Sequence, residues 1–129
     1  MEKNKKIVLL IEDDTAIIDV YETALKAAGI NIQVITWGKQ AMEMVKEIKC
    51  GRAEKPSLVL LDLILPDING IEILKEIKEN EETKNINVFV LSNYTNEEIL
   101  TNRIKPDKFI LKTEITPTEL VKLVKNNLK

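Results

Sequence analysis

The sequence predicts a doubly wound α/β domain, with helices on both faces of a five-stranded parallel sheet. Three observations predict it. Short apolar runs alternate with amphipathic stretches along the whole chain. Most of the runs are continuous and rich in Val, Ile and Leu, the pattern of strands covered on both faces. Strict strand–helix alternation then implies parallel pairing through right-handed crossovers. At 129 residues, with no repeat, low-complexity tract or linker, one domain over residues 1–129 is expected.

The elements follow in order. A lysine-rich flank leads into a first strand, Ile7–Ile11. Residues 15–28 place Ile17, Val20, Tyr21, Ala24, Leu25 and Ala28 on one helical stripe, and Gly29 stops the helix. A second strand, Ile32–Ile35, precedes a helix over 39–49 carrying Ala41, Val45 and Ile48. The third strand, Leu58–Leu61, precedes a helix over 70–79 carrying Ile71, Leu74 and Ile77. After a fourth strand, Val88–Leu91, the segment 95–104 has the thinnest helical pattern: Ile99, Leu100 and Ile104 behind a Thr95 cap. The fifth strand is Phe109–Leu111. The last helix, 117–128, starts with a Thr116 N-cap and Pro117 at its first position, and presents Leu120, Leu123, Val124 and Leu128. The chain ends inside this helix, so no output domain is expected within it.

Composition removes several kinds of function. There is no histidine, which excludes Ser-His-Asp triads, His-metal sites and a phosphohistidine within the chain. The single cysteine, Cys50, can form neither an internal disulfide nor a zinc site alone. A net charge of −2 gives no broad electrostatic footprint for nucleic acid, so no direct DNA binding is expected. No apolar run approaches the ~20 residues that span a bilayer, and Ile7–Ile11 is too short for a signal-peptide core. A cytoplasmic location without membrane attachment is the expectation.

In doubly wound sheets, ligands bind beyond the carboxyl ends of the strands, where the strand order reverses. Glu12, Asp13 and Asp14 follow the first strand. Asp62 follows the third, Ser92 the fourth and Lys112 the fifth. Carboxylates gathered there repel one another and are costly to bury uncompensated. A hard divalent cation relieves both problems. Magnesium favours oxygen ligands from one or two carboxylates, retained waters and phosphate oxygens. Asp13 and Asp62 can supply carboxylates, Glu12 can hold a coordinated water, Lys112 can add a positive charge, and Ser92 can donate a hydrogen bond. Asp14, nearest Thr15, reads as the cap of the first helix. Cys50 and Trp37 read as structural or incidental.

Three runs carry a family resemblance: Val8-Leu9-Leu10-Ile11-Glu12-Asp13-Asp14, Leu60 through Gly70, and Phe109-Ile110-Leu111-Lys112. In order and approximate spacing, over essentially the whole chain, they resemble response-regulator receiver domains. The middle run, Asp62-x-x-x-Pro66-x-x-x-Gly70, is the most specific. The resemblance implies the flavodoxin-like (βα)5 fold with strand order 2-1-3-4-5. It implies Asp62 as phosphoacceptor and Mg2+ or Mn2+ as cofactor, held by Glu12 through water, by Asp13, by Asp62 and by the Ile64 backbone carbonyl. Ser92, with Asn93 beside it, and Lys112 would contact the phosphoryl group, Phe109 would be the switching aromatic, and Pro66 and Gly70 would shape the loop. The implied partners are a histidine kinase or histidine phosphotransfer protein and a downstream protein target. That target would bind a surface over roughly Thr95–Leu128, and the chain would be a monomer or a phosphorylation-dependent dimer.

The chain departs from the family pattern in several places. Thr113 follows Lys112 where a proline is usual, commonly after a cis bond; without proline that bond costs about 2.5–4 kcal/mol. Phe109 lacks the hydroxyl of the common tyrosine, and the stretch from Ser92 to Lys112 is short. Ile64 and Tyr94 stand where polar groups often orient the hydrolytic water, from which a long-lived phosphoryl state is expected. Two alternatives stay open. One is a degenerate receiver that regulates by contacts without phosphorylation. The other is a metal-dependent phosphohydrolase, although Glu12-Asp13-Asp14-Thr15 lacks the spacing of an Asp-x-Asp-x-Thr nucleophile motif. The favoured reading is not an enzyme beyond its own phosphorylation and dephosphorylation.

Overall fold

The computed structural model describes residues 6–93 and 104–128. Five parallel strands, β1 (Ile7–Ile11), β2 (Asn31–Ile35), β3 (Leu58–Asp62), β4 (Asn87–Ser92) and β5 (Lys108–Leu111), pair in the order β2-β1-β3-β4-β5. The helices are α1 (Thr15–Ala27), α2 (Gly38–Lys49), α3 (Gly70–Lys78) and the C-terminal helix Pro117–Asn126. A single 3-10 turn, Lys112–Glu114, follows β5 directly. Among the described residues no helix is long and apolar enough to cross a membrane.

The sheet separates two apolar layers because alternate strand residues point to opposite faces. Val8, Leu10, Leu58, Leu60, Phe89 and Leu91 face α1 and the C-terminal helix, packing on Tyr21, Leu25, Leu120 and Val124. Leu9, Ile11, Val59, Leu61, Val88 and Val90 face α2 and α3, packing on Ala41, Val45, Ile71, Leu74 and Ile77. β1 and β3 lie at the centre and are buried on both sides, which is why they read as unbroken apolar runs.

Register brings the polar strand ends level. Ile11 lies opposite Leu61, Asp62 opposite Leu91, and Ser92 opposite Leu111. The residues one step beyond, Glu12 and Lys112, therefore reach the same edge as Asp62 and Ser92.

Most expected boundaries agree to within one residue, and the differences have local causes. At their carboxyl ends β3 takes in Asp62 and β4 takes in Ser92, because the backbone ladder continues past the last apolar side chain; β4 also starts one residue earlier, at Asn87. The C-terminal helix ends at Asn126 rather than 128. Val20, expected on the buried stripe of α1, is exposed; only Tyr21 and Leu25 of that helix are fully covered. The expected helix over 95–104, with Thr95, Ile99 and Leu100, lies outside the described residues except for Ile104, which packs on the α2–α3 face. No cis peptide bond occurs among the described residues, so Lys112–Thr113 is trans.

Helix starts follow their caps. Asp14 accepts from the Ala16 and Ile17 N–H groups at 2.9 and 3.2 Å, the cap expected of it. Thr116 and Glu119 form a reciprocal capping box around Pro117. Asn69 caps α3 through the Ile71 N–H at 2.9 Å. α2 has no such local cap: Trp37 occupies the position and offers no side-chain acceptor.

Candidate functional site

Glu12 directly follows β1 and its side chain is wholly buried. Its backbone N–H donates to the Ile35 carbonyl at 3.0 Å. Glu12 Oε2 accepts from the Asp14 N–H at 3.1 Å, while Oε1 accepts from Lys112 Nζ at 2.7 Å. Lys112 Nζ lies 3.6 Å from Asp62 Oδ1, and only 7% of the lysine side chain is exposed. Asp62 is 6% exposed and its Oδ1 also accepts from the Ile64 N–H at 3.2 Å. Asp13, the next residue along, stays exposed at the mouth. One carboxylate oxygen from each of Glu12, Asp13 and Asp62 lies within 4.8 Å of the other two.

The charges do not balance. Three acids face one ammonium, with two of the acids buried. Burial first, then the charge of Glu12 and a hydrogen bond shared with it, push the Asp62 carboxyl up to about 7. Lys112 and the Ile64 N–H pull the other way and do not offset this. Burial alone would lower the Lys112 ammonium. Its hydrogen bond to Glu12 and the charges of Glu12 and Asp62 hold it above its ordinary value instead. Tyr21, on α1, lies within the field of the same pair: burial raises its phenol, Lys112 lowers it and Glu12 raises it.

The donor set suits a hard divalent cation. All three side chains offer carboxylate oxygen and none offers sulfur or imidazole, the chemistry that favours Mg2+ or Mn2+ over softer metals. A dication there would also cancel the local charge excess that holds the Asp62 proton.

The loop after β3 is folded tightly on itself. Ile64 and Asn69 form an isolated antiparallel bridge, and the Gly70 N–H donates to the Leu63 carbonyl at 2.8 Å. A Cβ at Gly70 would meet Leu63 Cα at 2.6 Å and the Asp62 carbonyl oxygen at 2.7 Å. Glycine is therefore required sterically where α3 starts against the Asp62 backbone. Pro66 is exposed at the loop's outer turn, and the Ile64 side chain points to solvent.

The structure thus gathers Glu12, Asp13, Asp62 and Lys112. Ser92 is buried at the end of β4, and Asn93 beside it is exposed. Phe109 is half-buried against the α2–α3 face. Tyr94 lies outside the described residues. Two features go beyond what the sequence reading identified. The direct Glu12–Lys112 pair joins residues a hundred positions apart. Asp67, in the loop after Asp62, binds the start of α2. Only an acid in a turn, paired with a helix lacking its own cap, hinted at the second.

A family model for the response regulator receiver domain matches residues 8–125. The response regulator Rcp1 of Synechocystis sp. is 36% identical over 96 residues, covering 72% of this chain and 65% of that protein. The DNA-binding response regulator MtrA of Mycobacterium tuberculosis is 29% identical over 129 residues, which is all of this chain and 53% of MtrA. The chain therefore spans about half the length of its MtrA relatives. Among solved structures, the phosphorylated cyanobacterial phytochrome response regulator RcpA superposes with a TM-score of 0.77 at 31% identity, covering 94% of this chain and 89% of that one. The Mn(2+)-bound form of Rcp1 gives a TM-score of 0.77 at 28% identity, covering 94% and 90%. With a match running from the first buried strand into the C-terminal helix, and the same sheet beneath it, the chain belongs to the response regulator receiver domain family of two-component signalling.

Proposed function

We propose that Asp62 is the phosphoacceptor of a two-component phosphorelay. One observation carries this reading: a buried carboxylate sits between an ammonium and two further acids, an arrangement short of positive charge until a cation arrives. Bound Mg2+ or Mn2+ would supply that charge and neutralise phosphoryl oxygens. Asp13 would ligate it directly, Glu12 through water, and the Ile64 carbonyl as a third protein oxygen.

An Asp62 carboxylate oxygen attacks the phosphorus of a phosphohistidine on a kinase or phosphotransfer partner. The P–O bond forms, the P–N bond breaks, and the imidazole leaves with the partner. Lys112 then faces a dianionic phosphoryl group and exchanges its contact with Glu12 for a phosphoryl oxygen. Ser92, with Asn93 at the rim, donates to another, and Phe109 follows the movement of Ser92. Positioning and charge neutralisation are what phosphoryl transfer asks of a protein. The event is stoichiometric rather than catalytic.

The readout is a shift between two conformations, biased by the new contacts and sensed by a downstream protein at the surface containing β5 and the C-terminal helix, as monomer or dimer. Ile64, apolar and exposed, leaves no side-chain group on that loop position to orient attacking water. The aspartyl phosphate should outlast seconds in Mg2+, measured by decay of the labelled mass.

The test is incubation of the chain with Mg2+ and acetyl phosphate, followed by intact mass. One phosphoryl group should be added to the wild type and none to Asp62→Asn. Continued turnover of the phosphate ester would point to a hydrolase, and no labelling with Mg2+ bound would point to a contact-only receiver.

A further inference from the structure

Helix α2 begins without a cap of its own. Trp37 fills the N-cap position with no acceptor, and the first turn holds no acidic residue. Its first two N–H groups are satisfied from another element. Asp67 Oδ1 accepts from the Gly38 N–H and Oδ2 from the Lys39 N–H, both at 2.8 Å. Partial burial opposes the charge on Asp67, but the N–H groups of Lys39 and Gly38 hold its carboxyl below the ordinary value. Gly38 completes the fit: a Cβ there would strike Ile68 Cγ1 and lie 2.9 Å from Asp67 Oδ1.

The loop that supplies this cap is the one that leaves Asp62. Its two ends are held together by the Ile64–Asn69 bridge and the Gly70–Leu63 hydrogen bond. Between those pins, the two Asp67 contacts are the hydrogen bonds seen from the 64–69 segment to the α2 layer among the described residues. We propose that Asp67 is a positioning residue for the acceptor site: it makes the first turn of α2 and the backbone around Ile64 one mechanical unit, so that the loop meets the cation in a fixed geometry. This rests on the assignment of Asp62 and its cation given above.

The alternative is that Asp67 only caps a helix. The two roles separate because α2 can be given a local cap. Trp37→Ser restores an N-cap acceptor at the exposed Trp37 position without touching the loop. In Asp67→Ala, Mg2+ affinity by calorimetric titration should fall about 10-fold, the lower end for groups that orient metal ligands. Labelling by acetyl phosphate should slow in parallel.

Adding Trp37→Ser to Asp67→Ala should raise the urea midpoint toward wild type while Mg2+ affinity stays low. Glu43→Gly, which weakens α2 from within, should lower the midpoint and leave affinity unchanged. Asp67→Asn, which keeps one acceptor oxygen, should fall between and covers the case in which Asp67→Ala fails to fold. Recovery of Mg2+ affinity by Trp37→Ser, an equal loss in Glu43→Gly, or wild-type affinity in Asp67→Ala would each overturn the proposal. A wild type that binds no Mg2+ and takes no label would instead sink the function on which it rests.

Discussion

The sheet holds a largely shielded lysine at each end, and the two are treated in opposite ways. At the amino end, Lys78 donates to the Ile86 carbonyl at 2.7 Å and the Lys84 carbonyl at 3.1 Å, and pairs with Asp107 at 2.6 Å. Asp107 in turn accepts from the Val88 N–H at 2.8 Å. Three donors meet three acceptors and one charge meets one charge. At the carboxyl end, Lys112 meets Glu12 and Asp62, with Asp13 close by. The first arrangement is closed and pins α3 to the starts of β4 and β5. The second carries negative charge in excess. Equal chemistry thus gives a structural staple in one place and a site with uncompensated negative charge in the other, and the count of acids decides which.

Three experiments can break or sharpen that contrast. Lys78→Ala strands two carbonyls and a carboxylate, and should destabilise the protein by about 2–3 kcal/mol in urea unfolding while leaving Mg2+ affinity of the folded protein unchanged. A parallel loss of affinity would show that the two ends are not independent.

Asp62→Asn should do the reverse and stabilise the metal-free protein by about 1–2 kcal/mol at pH 8. The sign follows from the Asp62 carboxyl, raised from 3.8 to about 7. Between those values the folded protein holds a proton that the unfolded chain has lost, so stability falls as pH rises through the window. The gain from Asp62→Asn should therefore shrink at pH 5, checked by unfolding in EDTA at both values. Smallest, Mg2+ at three times its Kd should stabilise the wild type by about 0.8 kcal/mol, read as a shift in the urea midpoint. The shift should vanish in Asp13→Ala.

Much of this was legible in the sequence, for a physical reason. Strands buried on both faces cannot hide, because every side chain from Val8 to Ile11 or from Leu58 to Leu61 must be apolar. The fold rule then placed Glu12, Asp62, Ser92 and Lys112 along one edge without any distance being known. What local pattern could not supply was pairing at long range. Lys78 with Asp107, Glu12 with Lys112 and Asp67 with Gly38 are each ordinary polar residues until the chain is folded. Val20 shows the same limit in reverse: its apolar type fitted a helical stripe, yet its angle on α1 turns it to solvent.

The central place of β1 sets the order in which the molecule can form. β1 is made first, but one of its two neighbours, β3, does not begin until Leu58. A growing chain that has reached α2 therefore exposes an unpaired side of its most apolar strand. Closure waits for β3, and β3 carries Asp62 against Glu12 as it docks. Charge repulsion between Asp62 and Glu12 is then met as β3 docks, so neutralising these carboxylates should speed folding, measured by refolding rates of Asp62→Asn against wild type.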